Sequence, residues 1–143
     1  MPKTTQFAAD IMKLVLHGTA IADIAENDTS SPMTTMYASL HTASPGVGGN
    51  QTTNEISYTG YSRVAITRNS SGWTITSDVA NPFAAWHFGT MTAGAGGTAT
   101  YIGIGTASSG TGYLMYFFPI SPSISVVNGV DPIISTASDF SED

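Results

Sequence analysis

Two hydrophobic periods divide the chain. Over residues 7 to 17, Phe7, Ile11, Leu14 and Val15 recur at helical spacing with Asp10 and Lys13 off that face. Thr4 or Thr5 is placed to cap the start and Gly18 to stop the end, so the spacing predicts one N-terminal helix. Ile21 and Ile24 stand three apart, but Asn27 to Pro32 is loop chemistry and reads as a connector. From Thr34 the period falls to two: Met36, Ala38 and Leu40 alternate with Tyr37, Ser39 and His41 until Ser44-Pro45-Gly46. Residues 46 to 54 hold three glycines and one large apolar side chain, Val47, which predicts a long exposed loop.

Alternation resumes from Ile56 to Arg68, with Gly60 marking a bulge or bend, and Asn69-Ser70-Ser71-Gly72 turns the chain into Trp73 to Ser77 as a hairpin. Asn81-Pro82 is a break, and Phe83 to Met91 alternates once more. In Thr98 to Gly105 the glycines at 103 and 105 leave one sheet face bare, as happens where another backbone or a large ring lies close. Tyr113 to Phe118 is almost wholly apolar, the pattern of a strand buried on both faces, and Pro119 and Pro122 limit pairing beyond it. Ser123 to Val127, Asn128-Gly129 and Asp131 to Ser135 read as strand, turn and strand. Seven to nine strands after one helix predict a mainly β, antiparallel β-sandwich or jelly roll, with 1–143 as a single domain.

Composition sharpens this picture. Only 10% of residues are charged against a usual quarter or so, yet six Tyr, six Phe and two Trp argue against disorder. The net charge of -6 leaves no electrostatic footprint for nucleic acid. The acids cluster at the two ends, and the long middle carries only Glu55, Asp78, Arg63 and Arg68, a neutral surface suited to packing against other copies or a partner lattice. Cysteine is absent, which excludes disulfides and thiolate metal sites. The apolar stretch Ile11 to Leu16 is too short for a bilayer span and lacks the flanks of a signal peptide, so the product is expected to stay in the cytoplasm where it is made unless an assembly carries it out. The Asn-x-Ser/Thr triplets at Asn27, Asn50 and Asn69 are then chance occurrences.

Catalytic patterns are sparse. His17, His41 and His87 are scattered with no metal-ligand spacing, so neither a metal nor another cofactor is expected. Glu55 and Asp78 are the only mid-chain acids available for a glycosidase pair, one at a loop edge and one in a turn. GIGTASSGTG, residues 103 to 112, lacks the lysine and following helix of a phosphate loop, and no nucleophile elbow is present. The chain is therefore not expected to be an enzyme. Its tyrosines and tryptophans either fill the core or face an interface. Arg63 and Arg68 are the only arginines, and one of them either anchors a partner's carboxylate or pairs at home with Glu55 or Asp78.

The run from Tyr37 through His41-Thr42-Ala43-Ser44-Pro45-Gly46, a Gly-rich gap, then Thr53-Asn54-Glu55 and Tyr58-Thr59-Gly60-Tyr61-Ser62-Arg63-Val64 resembles a family of small tailed-bacteriophage virion proteins. The resemblance continues through Ser70-Ser71-Gly72-Trp73, Asn81-Pro82, Tyr101 to Gly110 and Val127-Asn128-Gly129 with the Asp131-Pro132 turn. Members of that family are often labelled tail-fibre proteins, and the pattern is also similar to cement proteins that decorate capsids. Ser44 stands where the family usually has Asp, a departure that bears on any cap or ion role for that loop.

The resemblance implies a virion structural protein. The expected role is capsid decoration: a dimer or trimer on the capsid surface bridging major capsid protein subunits, with no nucleic-acid or membrane partner. A tail-fibre or baseplate-associated, host-binding subunit is the alternative. Tyr58, Tyr61 and Arg63 are the expected partner-interface residues, and the helix, the loop of residues 44 to 54 and the acidic tail are the segments expected to be free for contacts.

Overall fold

A computed structural model describes residues 5–21 and 33–141. The described residues are mainly β with antiparallel sheets and one N-terminal helix. The described residues divide into two compact units: one takes those up to Thr35, Thr67–Ala85 and those from Ile134, and the other takes Met36–Ile66 and Trp86–Ile133.

In the first unit, helix α1 (Thr5–Met12) runs into a π-helical turn, Lys13–His17, and Gly18 ends it in the left-handed conformation at φ 70°. Thr5 lies inside the helix, and Thr4 falls outside the described residues. The buried face is Ala8, Ala9, Met12 and Leu16, whereas Ile11, Leu14 and Val15 are only half-buried. Apart from Phe7, whose side chain lies outside the described residues, the expected face is thus rotated, because the apolar positions wrap most of the helix and the 8-12-16 line, with Ala9 beside it, packs closest. The Arg68 guanidinium donates to the Leu14 and Val15 carbonyls at the C-terminal end, where the helix carries partial negative charge. His17 Nε2 meets the Trp73 carbonyl oxygen at 2.9 Å.

Strands β3 (Trp73–Thr76) and β4 (Val79–Pro82) form the hairpin of this unit, with Thr76 opposite Val79 and Ser77 in the turn at φ 57°. The expected hairpin through residues 69–72 is therefore displaced by one element: Asn69 does turn the chain, accepting from Gly72 N–H at 3.0 Å, but pairing starts at Trp73. Pro82 is the last paired residue of β4, so the break follows it. Strand β9 (Phe140–Ser141) completes a sheet of order β3-β4-β9, and Phe140 sets its ring edge-on to Trp73 at 6.2 Å. Of the acidic tail, expected free, Asp139 is held here, with Asn81 Nδ2 donating to the Ser138 carbonyl and to Asp139 Oδ1, and Glu142 and Asp143 lie outside the described residues.

The second unit is built on a four-stranded sheet of order β2-β1-β6-β7, where β1 is Thr35–His41, β2 is Val64–Thr67, β6 is Gly97–Gly105 and β7 is Leu114–Val126. The register places Ala38 opposite Ile104 and Leu40 opposite Ile102, and all four are buried on one face. Ile56, Tyr58, Trp86, Phe88 and Met91 are buried in the same unit, and β5 (Trp86–His87) pairs with β8 (Ile133–Ile134). The long strand expected from Ile56 shrinks to Val64–Thr67. Gly60 bends the chain at φ 107°, and a Cβ there would lie 2.1 Å from the Thr90 carbonyl oxygen. Phe83 to Met91 likewise keeps only the two paired residues of β5.

Strand β7 differs most from expectation. It is the edge of its sheet, and Leu114 to Phe118 are half-buried rather than covered on both faces. A continuous apolar run reads the same whether the protein's own layers or another surface cover it, which is why the pattern misleads here.

Candidate functional site

The motif residues converge in the second unit. On the sheet face opposite the apolar core, Tyr37 pairs with Gly105, Ser39 with Gly103 and His41 with Tyr101. Both glycines are buried beneath polar side chains. A Cβ on Gly103 would lie 2.7 Å from His41 Nε2, and one on Gly105 would lie 2.2 Å from Gln51 Cδ. The bare stripe read from the sequence is therefore the floor for an imidazole and an amide.

His41 is fully buried. Its Nδ1 stands 2.8 Å from the Thr53 carbonyl oxygen, which only accepts, so Nδ1 carries the proton and donates. Nε2 then accepts from the Ser39 hydroxyl at 2.9 Å. Burial lowers the imidazole pKa below its ordinary value, outweighing the Thr53 carbonyl and the Glu55 carboxylate, which raise it. The neutral form of the ring is thus favoured in the folded protein.

Gln51, also fully buried, ties two loops together. Its backbone N–H donates to the Thr111 carbonyl at 2.9 Å, and its Oε1 accepts from Ala107 N–H at 2.9 Å. The loop expected to be exposed along its length thus plugs the sheet at one residue. The signal for this was Gly105 and Gly112, since a Cβ on Gly112 would lie 2.1 Å from Gln51 Oε1. Ser44 retains a capping role, its hydroxyl accepting from Gly46 N–H at 3.2 Å and its carbonyl accepting from Asn54 Nδ2 at 3.0 Å.

Arg63 and Glu55 form the charged centre. Arg63 Nε donates to Glu55 Oε1 and Nη2 to Oε2, both at 2.7 Å, with side chains 3% and 14% exposed. Nη1 donates to the Ala107 carbonyl at 2.9 Å and Nη2 also to the Gly110 carbonyl at 2.7 Å. Tyr61 donates its hydroxyl to Glu55 Oε1 at 2.8 Å and accepts from Leu40 N–H at 3.1 Å. The hydrogen bond to Glu55 pushes Arg63 above its ordinary pKa, and burial followed by the Glu55 charge pushes Tyr61 well up. Tyr58 is buried with its hydroxyl donating to the Gly89 carbonyl at 2.9 Å, and burial with the Asp131 charge raises it to about 12.

The three residues expected at an interface are therefore turned inward. Arg63 takes the home pairing with Glu55, Tyr58 lies in the interior, and half-buried Tyr61 stacks on Phe88 at 6.3 Å. What they present outward is the 106–112 loop that Arg63 and Gln51 hold. Beside that loop, a cleft of about 350 Å³ is lined by Glu55, Tyr61, Ser62, Arg63, Ser108, Ser109 and Gly110. Asp78, the other mid-chain acid, sits in the β3–β4 turn of the first unit, and His87 makes an exposed contact with Asp131 at 2.8 Å.

The residues that carry the sequence motif are thus the ones that fold two loops onto one sheet. Such a pattern marks a shared architecture rather than a shared reaction. No curated protein matches the chain. A family model does, over residues 4–138, and the chain belongs to the family it describes, podophage GP4 fiber I protein gp80, a family of phage virion structural proteins.

Proposed function

We propose that this protein is a non-catalytic structural subunit of the virion's fibre apparatus, built to present rigid loops to its neighbours. The observation that carries this reading is the match, over nearly the whole chain, to a family described as a fibre protein. The site geometry supports a structural role. Ser39 and His41, the nearest approach to a nucleophile and base, are both fully buried beneath the Gln51 loop, where no substrate reaches them. The Glu55 carboxylate is held by Arg63 and Tyr61 rather than poised as an acid or base. Rigid loops lower the ordering cost of each contact, which suits repeated weak contacts in a large assembly.

One observation favours a second reading, capsid decoration. Residues 79–130 carry no formal charge, and so neutral a surface suits dense packing of many copies over major capsid protein subunits. Gold labelling of purified particles with an antibody against this chain separates the two. Gold confined to the tail and its fibres supports the proposal, and gold spread across the shell replaces it with decoration.

A further inference from the structure

We propose that the cleft between the 46–49 loop and the start of β7 is a docking site for a second copy of this chain. The cleft has a volume of about 460 Å³, with Leu114, Met115 and Phe117 along the strand, the glycine-rich loop as its wall, and Val47 and Tyr113 at its rim. The Val47 side chain is fully exposed and Tyr113 is 71% exposed, the two largest exposures among the large apolar side chains of the described residues.

Neither residue rides on a loose segment. Gly49 N–H closes the turn on the Gly46 carbonyl at 3.0 Å, and the Ser44 hydroxyl caps the same turn. Tyr113 exchanges both backbone bonds with Thr106: its N–H donates to the Thr106 hydroxyl at 3.0 Å, and its carbonyl accepts from Thr106 N–H at 3.0 Å. Two apolar side chains held out to water on fixed backbone are preorganised for contact.

Charge and area identify the occupant as a second copy. No Asp, Glu, Lys or Arg occurs from residue 79 to 130, and Val47 has none between itself and Glu55, so the surface offers nothing to a charged partner and no repulsion to its own image. It also carries both halves of a self-complementary contact. Under a two-fold axis, Val47 and Tyr113 of each copy meet the Leu114–Phe117 stretch of the other. The exposed parts of these residues and the loop sum to on the order of 500 Å² per copy, about 1,000 Å² in all, at the lower bound for a specific interface. An interface of that size belongs to the weak, transient class, so association is read at micromolar protein concentrations and above. This inference is independent of where in the virion the chain sits.

The test is sedimentation of the full chain across micromolar concentrations, for wild type, V47D, Y113D and the control V127D, whose native side chain is exposed elsewhere in the same unit. The expected result is a dimer for wild type and V127D, and monomers for V47D and Y113D with unchanged circular dichroism and melting temperature. A wild type that stays monomeric up to ~100 µM overturns the proposal, since no dimer then forms even at concentrations that reveal weak association. A dimer that survives both V47D and Y113D overturns it as well, by moving the interface elsewhere.

Discussion

Replacing Arg63 with methionine keeps the aliphatic stem and removes the guanidinium. The Glu55 carboxylate, 14% exposed, then keeps only the neutral Tyr61 hydroxyl, and the Ala107 and Gly110 carbonyls lose their charged donor. Both carbonyls belong to a loop at the surface where water replaces the lost bonds, so the carboxylate dominates the cost. Breaking a buried pair from one side costs about 3 to 5 kcal/mol. That is a large share of the roughly 5 to 15 kcal/mol that holds a typical domain together. With a urea dependence of about 2 kcal/mol per molar, the midpoint falls by roughly 2 M in urea titrations followed by intrinsic fluorescence. The double variant Arg63→Met with Glu55→Gln removes the stranded charge and keeps an acceptor for Tyr61, so it is more stable than Arg63→Met alone. A single-variant loss under about 1 kcal/mol, the worth of an exposed ion pair, refutes the reasoning, as does a double variant that loses the sum of the two singles.

Three further outcomes follow from the same geometry. Because His41 has a folded pKa below its ordinary 6.5, its contribution is complete above that pH. The unfolded chain binds the proton first as pH falls, so stability drops by up to about 1.4 kcal/mol per pH unit until the folded ring titrates, and urea midpoints of His41→Gln show a shallower fall over the same range. Gly105→Ala drives a Cβ into Gln51 and lowers stability by about 1 to 3 kcal/mol, and adding Gln51→Ala recovers part of that loss in thermal melts. His87→Ala, which removes an exposed contact with Asp131, shifts stability by less than about 1 kcal/mol, and a larger shift shows that the pair is not solvent-screened.

Much of the local structure is legible in the sequence, and the errors share a cause. The helix stop at Gly18, β1, β6 and the Asn128-Gly129 turn follow from period and turn chemistry alone. Gly103 and Gly105 announced a close approach correctly, but not that Gln51 and His41 make it, because those partners lie far away in the chain. The hairpin moved from residues 69–72 to 77–78 because Ser77 adopts a left-handed conformation that no local preference demands of serine. Arg63, one of only two arginines in a charge-poor chain, stands out in the sequence, and period cannot say whether it faces a partner or Glu55. The apolar run of β7 misled for the opposite reason. Hydrophobicity records that a surface is to be covered, and not by which molecule.

The copy number of this chain relative to the major capsid protein, from quantitative mass spectrometry of purified particles, tests the central claim most directly. A fibre subunit is present at a small fraction of the capsid protein's number. A number comparable with that of the capsid protein contradicts the account and places the chain across the shell.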